Sequence, residues 1–130
     1  MSENKYLELQ LIQKQVEEIK SILERFDEQI MQIENLIYDL QDFRKLKKGD
    51  NILIPLASGI FAKAKLTDNN NLKVNVGKNT VVEKDVLSTV DMLENQMQEI
   101  SSYRNQSVVN LRMLIDRSNK IKEELNKENV

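Results

Sequence analysis

The sequence predicts an α+β chain: a long antiparallel two-helix coiled coil that carries a small insert of two β-hairpins. Two observations lead there. The three glycines and the single proline all fall between positions 49 and 77, which leaves about fifty residues on each side without a helix breaker. In both flanks the apolar residues recur by alternating steps of three and four, the spacing of a heptad seam. A chain of 130 residues is one domain by length. Its parts are residues 1–48 as the N-terminal coiled-coil helix, 49–82 as the hairpin insert and 83–130 as the C-terminal coiled-coil helix.

The first helix is expected from about Glu3 to Lys47, roughly 65 Å at 1.5 Å per residue. Its seam is Leu9, Ile12, Val16, Ile19, Leu23, Phe26, Ile30, Ile33, Ile37 and Leu40, with no polar interruption. Charged residues such as Glu17, Glu18, Lys20 and Glu24 fill the flanking positions. Arg44, Lys45, Lys47 and Lys48 suit the negative end of a helix dipole, and Gly49 suits a left-handed cap.

The second helix keeps the spacing through Val86, Val90, Leu93, Met97 and Ile100, meets Arg104 and Ser107, then continues with Leu111, Leu114, Ser118, Ile121 and Leu125. Glu83, Asp85 and Asp91 place acid near its start, where the dipole is positive. In an antiparallel pair, the register in which facing residue numbers add to 130 aligns Leu40 with Val90, Ile30 with Ile100, Val16 with Leu114 and Leu9 with Ile121. Shifts of seven also fit part of the pattern. Phe26–Arg104, Leu23–Ser107 and Ile12–Ser118 are mixed layers, and a pair weakened there is one that can splay.

The insert reads as strands at 51–56 and 59–66 around a turn at Ala57-Ser58, then 72–76 and 80–82 around Gly77-Lys78-Asn79, with 67–71 as the connection. Pro55 makes the first strand an edge or bulged one. Ile60, Ala62, Ala64 and Leu66 alternate with Phe61, Lys63 and Lys65, the pattern of a half-buried strand. Two hairpins alone are marginal in water, and their open edges invite pairing. The insert therefore predicts an oligomer through Ile52, Ile54, Leu56, Ile60, Phe61, Leu72, Val74, Val76, Val81 and Val82, with Leu66 in the same apolar set.

Composition excludes other chemistry. With no Cys and no His, thiol catalysis, His-based proton transfer and the usual zinc sites are out, and no cofactor or metal is expected. A net charge of −2 removes the basic footprint that nucleic-acid binding needs. No nucleophile–base pair or phosphate-binding glycine loop appears, so an enzyme is not expected. The N-terminus has no signal-peptide hydrophobic region and no apolar run reaches membrane length, which reads as cytoplasmic. The insert is the only basic zone, with Lys63, Lys65, Lys73 and Lys78 against two acids; these form either a docking face or an ordinary solvated strand face. Asn and Gln make 23 residues, a level that points away from a hyperthermophilic source.

Several segments in this order and spacing resemble the prefoldin alpha class. They are Ile54-Pro55-Leu56 followed by Gly59, then Phe61-Ala62-Lys63-Ala64-Lys65-Leu66, Val74-Asn75-Val76-Gly77, and Val81-Val82-Glu83-Lys84 leading into the second helix. Two hairpins rather than one favour the alpha over the beta class. The sequence departs from the family at Ala57-Ser58-Gly59, with one glycine in the turn, and at Asn79, where glycine is common. The resemblance implies a heterohexamer of two alpha and four beta subunits, whose hairpins join into a β-barrel platform from which the coiled coils project. It further implies a co-chaperone that captures unfolded polypeptides at the coiled-coil tips and delivers them to a group II chaperonin, without hydrolysing ATP. The alternative is a passive coiled-coil adaptor or a structural, filament-type assembly protein.

On that reading the client-binding tip comprises Tyr6, Leu7, Leu9, Leu11, Ile12, Leu114, Ile115, Ile121 and Leu125. The seam members serve foremost as core. Leu7, Leu11 and Ile115 lie off the seam, as do Val108 and Met113, and form either binding surface or, alternatively, a broader core at a frayed end or a simple crystal or subunit contact.

Overall fold

A computed structural model describes residues 2–128. The element order is α1 (Ser2–Phe43), β1 (Asn51–Ala57), β2 (Ile60–Lys65), β3 (Asn71–Asn75), β4 (Val81–Asp85) and α2 (Val86–Glu128). This is the expected α+β arrangement of two long helices and two hairpins. Among the described residues no helix is long and apolar enough to cross a membrane. The chain divides into two compact units, residues 2–31 with 97–128, and Gln32–Gln96.

The first unit is a helix pair. Every seam position named above within it is buried or half-buried, including Arg104, Ser107 and Ser118. Its buried centre is Ile12, Ile121 and Leu125, packed by Leu9, Val16 and Leu114. Four cross-helix ion contacts fix the direction and register: Lys5 with Glu124 and Glu128, Glu8 with Arg117, and Asp27 with Arg104. These pairings bracket the 130 register, so the helices run antiparallel with the offset read from the seam. The outer layers do not open at Ser118: this serine is itself buried beside the tightest cluster of the unit, because Ile121 and Leu125 on the following turns close over Ile12.

The second unit holds both hairpins. β1 pairs with β2 from Asn51↔Lys65 to Pro55↔Phe61, and the register shifts between Pro55 and Ala57, the bulge that a proline in a strand calls for. The turn is Ser58-Gly59, one residue later than expected, because Ala57 still pairs with Ile60 and Gly59 supplies the left-handed φ of 76°. β3 pairs with β4 from Asn71↔Asp85 to Asn75↔Val81. Lys78 and Asn79 both take left-handed φ, at 51° and 60°, and Thr80 N–H donates to the Gly77 carbonyl at 2.9 Å. That is a type I′ turn, whose twist matches the strands it joins. The two hairpins form separate two-stranded sheets.

Both helix boundaries next to the insert differ from expectation. α1 ends at Phe43, not near Lys47, so Lys45, Lys47 and Lys48 follow the helix rather than load its last turn. Polar side chains take over the chain here. Asn69 donates its side-chain amide to the carbonyls of Leu46 (2.7 Å) and Arg44 (3.3 Å), and the Asp50 carboxylate accepts from Lys47 N–H at 2.8 Å. Gly49 is not a helix cap. It takes a φ of 92° and donates to the Leu66 carbonyl at 2.7 Å, closing the base of the first hairpin. α2 begins at Val86, and Glu83 and Asp85 belong to β4. Asp85 is its N-cap: the carboxylate accepts from Ser88 N–H at 2.7 Å, and the Asp85 carbonyl accepts from the Thr89 hydroxyl at 2.8 Å. Val86, Thr89, Val90 and Leu93 on α2, together with Leu66, are the buried residues of this unit.

Candidate functional site

The end of the helix pair that carries both termini sorts the expected tip residues into two groups. Ile12, Ile121 and Leu125 are buried, and Leu9 and Leu114 are half-buried against them, so these five are seam core. Tyr6, Leu7, Leu11 and Ile115 stay exposed, Leu7 at 63% and Leu11 at 56%. These side chains lie off the seam, and apolar side chains of this size left in water are candidates for a binding surface.

The exposed residues do not form one patch. Leu7 and Leu11 are four apart and lie about 40° from each other round α1. Leu11 is three residues from Glu8, which meets Arg117 of α2 at 2.9 Å. Ile115 precedes Arg117 by two residues, about 200° round its helix. It therefore sits on the opposite flank of the pair. The Leu11 flank continues into an open groove lined by Gln15, Glu18, Ile19, Ile22, Asn110, Met113 and Leu114. Ile22 was invisible as a site candidate from sequence: a lone apolar residue off the seam gains meaning only once the register sets it near Met113.

The charged groups at this end act as clasps. Lys5 donates to Glu128, and that hydrogen bond, followed by the attraction of Glu128 and Glu124, raises the Lys5 pKa above its usual value. Arg117 donates to both carboxylate oxygens of Glu8, at 2.9 and 3.3 Å, which raises its pKa as well. Further along the pair Arg104, in a half-buried seam position, pairs with Asp27 at 2.6 Å. Its charge thus stays at the surface although its position is in the seam.

The expected assembly residues also divide. On the hairpins Ile52, Leu72, Val74 and Val82 are half-buried within their own unit, whereas Ile54, Leu56, Ile60, Phe61, Val76 and Val81 are exposed. Leu72 and Val74 line a groove with Leu36, Leu40, Met92 and Leu93, so β3 leans on the helices that it connects. Five of these six lie on short strands and Val76 directly follows β3; the outer edges of the strands have no partner among the described residues.

Two long helices joined by two separate, open-edged two-stranded hairpins define the class of fold. Residues 12–130 match the prefoldin family model, described as prefoldin subunit, and the chain belongs to the prefoldin family. The Prefoldin subunit alpha of Methanococcus maripaludis (strain C7) is 28% identical over 98 residues, 75% of this chain and 66% of that one, so the match spans just under two thirds of that relative. The Prefoldin subunit alpha of Methanococcus vannielii is 24% identical over 125 residues, 96% of this chain and 84% of that one. A chain in the cryo-EM structure of filamentous PFD from Methanocaldococcus jannaschii superposes with a TM-score of 0.83 at 18% identity, covering 92% of this chain and 98% of that one; at this identity the likeness concerns the fold. Prefoldin is a chaperone family, and its alpha subunits assemble with other prefoldin subunits.

Proposed function

We infer that this chain is the alpha-type subunit of a cytoplasmic co-chaperone that holds unfolded polypeptide at the termini-bearing end of its helix pair. It passes the polypeptide to a group II chaperonin without hydrolysing ATP, and it works in a hexamer of two such chains with four beta-class subunits. The observation that carries the reading is the pair Leu7 and Leu11, exposed on the side of α1 that faces away from a closed seam. Folding of this chain leaves them nothing to cover, and an unfolded polypeptide supplies apolar side chains that need covering. The neighbouring groove at Ile22 and Met113 extends the same flank, and an unbranched methionine adapts to varied partners.

The experiment is suppression of aggregation of a chemically unfolded client by the chain assembled with a beta-class partner. Leu7→Ser with Leu11→Ser is expected to weaken suppression severalfold, while the hexamer persists on sedimentation. Equal suppression by wild type and variant would remove the tip assignment. No suppression by the wild-type assembly would leave the adaptor reading. A filament-type assembly is the second reading, favoured by the likeness to a chain of filamentous PFD. The same sedimentation separates it, since a filament grows with concentration and a hexamer keeps its size.

A further inference from the structure

We propose that the outer face of the β1–β2 hairpin docks an extended, acidic segment of a partner protein that carries an apolar side chain beside its carboxylates. Strand alternation and the pairings Leu53↔Lys63 and Pro55↔Phe61 put these four residues on one face, with Lys65 next along β2. The other face, through Ala62 and Ala64, leads to buried Leu66 and belongs to its own unit. An outward strand face is ordinarily polar, yet Leu53 is 64% and Phe61 57% exposed. Phe61, expected from sequence among the assembly residues, is assigned here to this outward face instead, because alternation sets it opposite Ala62 and Ala64.

The charge on this face is also unanswered. Among the described residues Lys63 and Lys65 have no carboxylate within ion-pair distance, whereas Lys73 on the other hairpin meets Glu83 at 3.6 Å. The two acids of the insert are engaged elsewhere: Asp50 accepts from Lys47 N–H, and Asp68 accepts from Asn70 and Asn71. Phe61, Lys63 and Lys65 therefore present one apolar and two cationic groups in line, each about 6.7 Å from the next. An extended peptide has the same period. Glutamates or aspartates at alternate positions meet the two lysines, and a bulky apolar residue two further on meets Phe61 and Leu53. A nucleic acid fits less well, since two cations flanked by Leu53, Pro55 and Phe61 give neither the charge nor the breadth of a phosphate-binding surface.

The test uses the chain assembled with a beta-class subunit and a short fluorescein-labelled peptide bearing alternate glutamates followed by alternate leucines. A counterpart with lysines in place of the glutamates serves as control, and binding is read by anisotropy. The acidic peptide is expected to bind and the basic one not. Lys63→Glu with Lys65→Glu is expected to weaken the acidic peptide about tenfold and to reverse the preference. Lys63→Ser with Lys65→Ser is expected to weaken it without reversal. Leu7→Ser with Leu11→Ser is expected to leave it unchanged, which separates this face from client capture; aggregation suppression measured on the same samples reports on that function independently. Any of the following overturns the proposal: no binding of the acidic peptide, equal binding of the two peptides, loss of binding in the Leu7/Leu11 variant, stronger competition by a single-stranded oligonucleotide, or dissociation of the complex in the lysine variants, which would make the face a subunit interface.

Discussion

At the scale of single residues the seam and the caps carry the stability. Ile121 has no exposed surface and packs on Ile12 and Leu125. Ile121→Ala is therefore expected to cost about 2–5 kcal/mol, checked by urea denaturation, since neighbouring helical turns collapse only partly into the space. Two aspartates add to the acid sensitivity of the fold. Backbone N–H donation, from Ser88 to Asp85 and from Asn70 to Asp68, holds both carboxyl groups below the ordinary aspartate value of 3.8. A group whose pKa is depressed by folding contributes fully above its unfolded pKa and loses that contribution as pH falls through the folded one. The melting midpoint is thus expected to be insensitive to these two groups near neutrality and to drop below about pH 3.8. Asp85→Asn, which keeps a capping oxygen, is expected to flatten that acid slope in a series of thermal melts, and Asp85→Ala to lower the midpoint at neutral pH.

At the scale of elements the sequence spoke clearly about periodicity and poorly about ends. The steps of three and four made every seam residue from Leu9 to Leu40 legible, because a buried helical stripe is written directly in side-chain type. The bulge at Pro55 was legible for a similar reason: a residue without N–H has few places in a strand. The end of α1 was not, because the groups that stop it, Asn69 above all, lie more than twenty residues away in sequence. A run of lysines followed by glycine resembles a capped helix end when that distant amide is unseen. Among the site residues, Leu7 and Leu11 could be found as apolar side chains off the seam, but the flank assigned to Ile115 required the cross-helix register. The I′ turn allows a further check. Lys78 sits at left-handed φ, where a lysine is strained and asparagine is tolerated. Lys78→Asn is expected to raise the melting midpoint slightly; a fall would contradict the turn geometry.

At the scale of the whole molecule, exposed apolar residues of the insert are expected to take part in assembly. Leu56 and Val76 are both exposed, and neither is needed to hold its own hairpin. Leu56→Asp with Val76→Asp is expected to leave far-ultraviolet helix content unchanged and to abolish co-sedimentation with a beta-class subunit. An intact complex would mean that the hairpins do not join the subunits. Among the described residues the two hairpins share no hydrogen-bonded ladder, so each leaves strand edges open, and on the proposed reading other subunits complete them. Mass action then governs how firmly the chain is folded. A partner that binds only the folded form adds stability in proportion to the logarithm of its free concentration. The thermal midpoint should climb as subunits are mixed at higher concentration, and a chain made in excess of its partners should be the first to meet the cell's proteases.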